Sequence, residues 1–139
     1  MPDLLYDDLE PGRRFKDTVM TITPEMVRKY ALAVDNAALL AQADLPDGTP
    51  LDDPSLLILF ATTRRVLAQD GRVPGAGILA RMDIAPERSP RMGESIRTRT
   101  SIGDRYEKRG RRTILLRCDF VDDAGGSLGY SESHIIWPR

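Results

Sequence analysis

Apolar residues follow two different patterns in the two halves of this chain. Residues 53–68 read DPSLLILFATTRRVLA, with an unbroken apolar run from Leu56 to Ala61. The start signals are those of a helix. Asp53 suits the N-cap, and Pro54 suits the first helical position, where its missing N–H is not needed. A helix that is apolar all round is buried on all sides. From Thr62 to Arg65 the pattern turns polar, so this end is expected to emerge into solvent. After it the period changes to two. Ile78, Ala80, Met82 and Ile84 alternate with Leu79, Arg81 and Asp83; Ile96, Thr98, Thr100 and Ile102 alternate with Arg97, Arg99 and Ser101; Ile114, Leu116, Cys118 and Phe120 alternate with Arg117 and Asp119. Strict alternation predicts half-buried strands. Arg109-Gly110 and residues 122–126 are the turns between them, and residues 128–137 form a last strand whose mixed pattern assigns no face.

Ahead of the apolar run, residues 1–12 form an arm ending in the turn Glu10-Pro11-Gly12, and 14–22 predict a strand. Thr23-Pro24-Glu25 opens a helix, with Thr as cap, Pro at the first position and Glu in the first turn. Its apolar stripe is Val27, Tyr30, Ala31 and Val34, and it ends near Asp35-Asn36. Residues 37–52 are an irregular connection with a short helical turn over 39–43. The sum is an α+β fold: an antiparallel β-sheet wrapped around one long central apolar helix. It forms a single domain over 1–139. An open sheet leaves edges that need cover, and dimerising through the sheet supplies it.

Composition sharpens this. The chain has 139 residues, 41% of them hydrophobic, enough for one core. Lys+Arg (20) against Asp+Glu (21) gives a net charge of -1, which argues against a general nucleic-acid binder. With one cysteine there is no internal disulfide, and Cys118 falls at a core position of its strand. One histidine and one cysteine give no metal set. No apolar run reaches membrane-spanning length and the acidic N-terminus has no apolar signal region, so a soluble, cytoplasmic protein is expected.

The order of elements resembles the hotdog fold, and within it the MaoC-like dehydratase (R-specific enoyl-CoA hydratase) family. The resemblance spans Tyr6 to Pro138. It rests on residues 6–12 (YDDLEPG), on 21–27 (TITPEMV) with Tyr30-Ala31, on Pro86 followed by Gly93-Glu94-Ser95-Ile96, and on the turns at Lys108-Arg109-Gly110 and at 123–126 (DAGG). It implies a hotdog dimer or dimer of dimers. It also implies a tunnel for an acyl thioester on coenzyme A or on an acyl carrier protein, the carrier being part of the substrate and no separate cofactor being needed.

The catalytic residues of that family are an Asp and a His just after the first helix, which activate water for addition to an enoyl thioester. The base must titrate near neutrality, and His does. Here an ungapped match puts Asn36 at the Asp position and Ala41 at the His position; a slide of one puts Asp35 and Leu40 there. Either way the His is absent, and the sole histidine, His134, lies in the last strand. The family also polarises the thioester carbonyl with backbone N–H groups at the start of the central helix. Here that start is Asp52-Asp53-Pro54-Ser55, where proline removes one N–H and two carboxylates oppose developing negative charge.

The candidate catalytic residues are therefore Asp35, Asn36 and Asp53. Asp35 is either a catalytic acid or a helix terminator; Asn36 binds thioester or water, or ends the helix; Asp53 is a thioesterase-like base or nucleophile, or the N-cap. Ser55, Arg64 and Arg65 are candidate substrate-binding residues, the arginines for the phosphates of coenzyme A. The expected function is an acyl-thioester-binding subunit without its own dyad that works with a second hotdog chain or as a homo-oligomer. A hotdog thioesterase or dehydratase with an altered site, and a non-enzymatic ligand-binding module, are the alternatives.

Overall fold

The computed structural model describes residues 2–61, 63–75 and 77–138, and for Thr63 and Arg64 it describes the backbone only. Five strands form one antiparallel sheet: β1 (Thr18–Thr21), β2 (Ile78–Pro86), β3 (Ser95–Lys108), β4 (Arg111–Val121) and β5 (Ser127–Ile136), in the order β1-β3-β4-β5-β2. The two hairpins lie where the turn residues put them. Arg109 and Gly110 both take positive φ, at 53° and 72°. At the other hairpin Asp122 closes the loop by accepting from the Ala124 and Gly126 N–H groups.

Alternation assigns the sheet's faces correctly where it is strongest. Ile96, Thr98, Thr100 and Ile102 of β3 and Ile114, Leu116, Cys118 and Phe120 of β4 are all buried on one face. Cys118 is a core residue as expected; burial pushes its thiol up, against the lowering contacts of Thr100 and Ser131. β2 differs. Ile78 and Leu79 are 51% and 57% exposed: β2 is an edge strand, paired among the described residues with β5 alone, and its register shifts between Leu79 and Arg81, so Ile78 falls on the opposite face from Met82 and Ile84. The first predicted strand is shorter than 14–22: only Thr18–Thr21 is regular, and Arg14 adds an isolated bridge to Ser101.

The first helix, α1 (Pro24–Ala33), starts as the sequence dictates, with the Thr23 side chain accepting from the Met26 N–H. Val27 and Ala31 are buried, but Val34, assigned to the same stripe, is 47% exposed because the helix has already ended. A second helix, α2 (Ala37–Gln42), occupies the expected short helical turn, capped by Asn36.

The central apolar segment lies across the sheet's inner face, but it is not one long α-helix. It is a 3-10 helix, Pro54–Phe60, followed after a break by α3 (Thr63–Leu67). Ala61 leaves helical geometry at φ -81°, ψ 61°. The Phe60 carbonyl at this end accepts from the Thr98 hydroxyl of β3 at 3.2 Å, so a side chain of the sheet supplies a bond at the break. The threefold winding also alters which residues share an edge. Leu57 and Phe60, three apart, are fully buried, whereas Ile58 is 39% exposed, contrary to a segment buried on all sides. Two clusters fill the inner face. One joins Leu56, Leu57 and Phe60 to Ile22, Val27, Leu39 and Phe120. The other joins Val66 and Leu67 to Leu4, Leu9, Phe15, Ile114 and Trp137, and thereby ties down the N-terminal arm.

Candidate functional site

The junction of α1, α2 and the 3-10 segment gathers four polar side chains in one chain of hydrogen bonds. Asp53 stands at its centre as the N-cap. Its Oδ1 accepts from the Ser55 N–H at 3.0 Å and from the Ser55 hydroxyl at 2.5 Å, and its Oδ2 accepts from the Asn36 amide at 3.1 Å. The Tyr30 hydroxyl lies 2.6 Å from Ser55 Oγ. Partial burial pushes the Asp53 carboxyl up, but the hydrogen bonds from Ser55 and Asn36 outweigh it and hold the group below its ordinary 3.8. The carboxylate is therefore ionised at neutral pH and can only accept. This fixes the direction of the chain: Tyr30 donates to Ser55, and Ser55 donates to Asp53.

Each member is held locally. Asn36 is fixed twice, since its Oδ1 caps α2 by accepting from the Leu39 N–H at 3.0 Å while its amide reaches Asp53. Tyr30 sits on the inward stripe of α1, half-buried, with its ring packed on the core and its hydroxyl free to reach Ser55. The backbone N–H groups at the start of the 3-10 segment are also taken. Pro54 has none, Ser55 N–H goes to the Asp53 side chain, and Leu56 N–H goes to the Asp53 carbonyl at 3.2 Å.

Among the predicted residues, then, Asn36, Asp53 and Ser55 come together. Asp35 does not join them. It takes φ 54° at the end of α1 and is exposed, the geometry of a helix terminator. Arg65 lies elsewhere, exposed, on the rim of an apolar hollow. The side chain of Arg64 lies outside the described residues. Tyr30 belongs to the site and was legible only as a member of an apolar stripe; the signal for it is that a half-buried tyrosine hydroxyl needs a partner. His134 is remote. On β5 it alternates with buried Ser133 and with Ile135, which packs against the core, so it faces outward, on the side of the sheet away from Asp53.

The apolar hollow, about 610 Å³, runs between the central segment and strands β2 and β5. Ile58, Ala61 and Leu67 form one wall; Leu79, Met82 and Ile135 form the other, with Trp137 at its end. Its size is that of a small-ligand cavity. A larger hollow, about 990 Å³, lies under the N-terminal arm beside Tyr6 and Arg112 and contains none of the candidate residues. The described residues contain no cluster able to hold a metal ion, and no helix long and apolar enough to cross a membrane.

No family model matches the chain, and no curated protein matches it by sequence. Solved structures do. A MaoC-like dehydratase from Rhodospirillum rubrum aligns over 98% of each chain with a TM-score of 0.70 at 18% identity. The C-terminally truncated HadBC (3R-hydroxyacyl-ACP dehydratase) complex from Mycobacterium tuberculosis aligns over 88% of this chain and 92% of that one, with a TM-score of 0.69 at 18% identity. A hot-dog-like protein from Thermanaerovibrio acidaminovorans aligns over 92% and 82%, with a TM-score of 0.62 at 11% identity. At these identities the likeness is one of architecture: the antiparallel sheet and central helical segment of this chain are the hotdog fold, in the form that MaoC-like dehydratases also adopt.

Proposed function

We propose that this protein is a MaoC-like hotdog subunit that binds acyl thioesters without catalysing their hydration alone, and that it works beside a second hotdog subunit. The observation that carries the reading is the state of the Asp53 junction. Where a hydratase of the resembling family needs a base titrating near neutrality and free N–H groups, this chain has an ionised carboxylate already bonded to the N–H groups and hydroxyl around it. A base is most effective when its pKa lies near the working pH. The hydrogen bonds from Ser55 and Asn36 hold the Asp53 carboxyl below the ordinary carboxylate range, moving it further from the working pH of a base. The oxyanion position is blocked by the chain's own cap, since the first available N–H groups both serve Asp53. The frame for a substrate is nonetheless retained. The apolar hollow beside Ile58 and Leu79 has room for a short acyl chain, and it opens along the exposed edge strand β2, where a second subunit would complete its wall. Assemblies of two different chains occur in this architecture, as in the HadBC complex.

The test is the hydration of a short trans-enoyl-CoA, followed by loss of the enoyl thioester absorbance. The purified protein alone gives no rate above background, while a complex with a co-expressed hotdog chain carrying the Asp and His does. A rate that survives purification of this chain alone, and that falls in Asp53→Asn, would overturn the reading and favour an enzyme with an altered site.

A further inference from the structure

The outer face of the sheet carries a feature with no part in the Asp53 junction. β3 is bulged between Ile102 and Asp104, which exchanges the faces of its remaining residues. Beyond the bulge Tyr106 and Lys108 point outward beside Thr113 and Arg111 of β4. His134 lies next to them on β5. Its Nδ1 is 2.9 Å from the Tyr106 hydroxyl, and the two rings meet edge to face. Arg81 of β2 is the register partner of His134 on the other side. With Arg109 of the hairpin these residues line a hollow of about 780 Å³.

The charge of that lining is of one sign. Arg81, Lys108, Arg109 and Arg111 face it, and among the described residues no carboxylate lines it. Arg81 is held by Asp83 at 2.9 Å. The side chains of Lys108, Arg109 and Arg111 are exposed and make no hydrogen bond or ion pair among the described residues. The acids nearest in sequence, Asp104 and Glu107, are not among its lining residues. Glu107 lies on the other side with Arg112, whose guanidinium covers the Tyr6 ring at 5.4 Å, in a hollow that Arg111 also borders; Asp104 shares the outward face of Tyr106 but accepts from the Arg105 N–H and does not line the site. In a chain whose net charge is -1, a hollow lined by four cations is a local concentration of positive potential. Like charges brought together on one hairpin repel each other, and a bound anion relieves that repulsion. Arginine forks match the oxygens of a phosphate, which can be gripped by two N–H groups at once. The site is concave and of small-ligand size, which favours a small phosphorylated molecule over a protein surface. Its floor is an aromatic pair, offering a ring edge to whatever carries the phosphate.

We propose that this hollow is a binding site for a phosphate ester, on the face of the sheet opposite the Asp53 junction. Its ligand is either a phosphate carried on a nucleotide or free phosphate, and the proposal holds whether or not the protein binds acyl thioesters. The experiment uses two acyl-free probes, adenosine 3′,5′-bisphosphate and inorganic phosphate, titrated calorimetrically into the whole protein at low salt. Because His134 is the sole histidine of the chain, its imidazole resonances in NMR report on this site alone. The expected result is saturable binding that moves the His134 signals and weakens at least about tenfold in the double variant Arg109→Asn, Arg111→Gln. Asn suits the positive φ at position 109, so the hairpin is kept. Tighter binding of the bisphosphate identifies a nucleotide site, and equal binding identifies a site for free phosphate. No saturation by either probe up to ~5 mM, a conventional limit for weak sites, overturns the proposal. So does binding that leaves the His134 resonances unmoved in the wild-type protein, a result that does not depend on the variant folding.

Discussion

At the scale of single residues, Asp53 is held both by its neighbour Ser55 and by the distant Asn36 amide. Asp53 before a proline and an apolar run is a cap by local rules, and it caps. Its partner Asn36 lies 17 residues away, and Tyr30, which joins the junction through Ser55, lies 25 residues from that serine; no local rule brings them together. Asp53→Ala is expected to destabilise the protein by about 1–2 kcal/mol, measured by urea unfolding, because a cap is lost and the Asn36 amide loses an acceptor. The pH dependence has a definite sign. The folded carboxyl sits below the 3.8 of the free group, so the unfolded chain binds the proton more tightly. The stabilisation is then fully present above pH ~4 and is lost as pH falls through the lower folded value. The difference between wild type and Asp53→Asn is thus expected to be constant near neutrality and to shrink below pH ~4. A difference that instead grew with acid would show that the carboxyl is not held ionised. Gly129 gives a sharper prediction. It takes φ 131°, and a Cβ there would lie 2.3 Å from the Ala85 carbonyl oxygen and 2.8 Å from Pro86 Cα, backbone atoms of the neighbouring strand. Gly129→Ala is expected to cost more than about 2 kcal/mol in the same unfolding measurement. A cost below 0.5 kcal/mol, the range of ordinary surface changes, would mean that β2 does not run this close.

At the scale of elements, legibility followed the strength of the pattern. β3 and β4 alternate strictly because one face meets the core and the other meets solvent, and their buried sets were readable residue by residue. β5 is central, between β4 and β2, and places Ser131 and Ser133 on its buried face, so polarity hides its pattern. The central segment was legible in place but not in form. An apolar run says that a segment is buried; it does not say whether the winding is 3.6 or 3.0 residues per turn, nor that Thr98 will bond the Phe60 carbonyl at the end of the 3-10 turn. The sheet order predicts a gradient of protection in hydrogen exchange. β4 is paired on both sides along its length, whereas β1 has four residues and one partner. Amides of β4 are expected to exchange only through global unfolding, and those of β1 by local opening, several orders of magnitude faster. Equal protection in both would mean that the far edge of β1 is covered.

At the scale of the whole molecule, the open question is what covers β2. Its outer edge has no partner among the described residues, and Ile78 and Leu79 stand more than half exposed along it. Exposed strand edges with apolar side chains invite pairing with another strand, and natural proteins blunt them with charges or cover them. Arg81 and Asp83 place charge on β2, but they pair with each other and leave the first half of the strand apolar. The apolar hollow opens on this same strand through Leu79 and Met82, so one event, the docking of a second sheet, would cover the edge and close the hollow. The proposed role assigns that second sheet to a copy of this chain or to a related hotdog chain. Light scattering of the isolated protein is therefore expected to give twice the 15.5 kDa of one chain. Because a dimer is stabilised by mass action, the unfolding midpoint should also rise with protein concentration. The double variant Ile78→Asp, Leu79→Asp puts like charges opposite one another across a symmetric edge. It is expected to raise the dissociation constant at least about a hundredfold, an effect of about 3 kcal/mol, while the circular dichroism of the sheet is unchanged. If the wild type stays monomeric at every concentration and also fails to pair with a co-expressed hotdog chain, the β2 edge is not an interface, and the hollow beside it has no second wall.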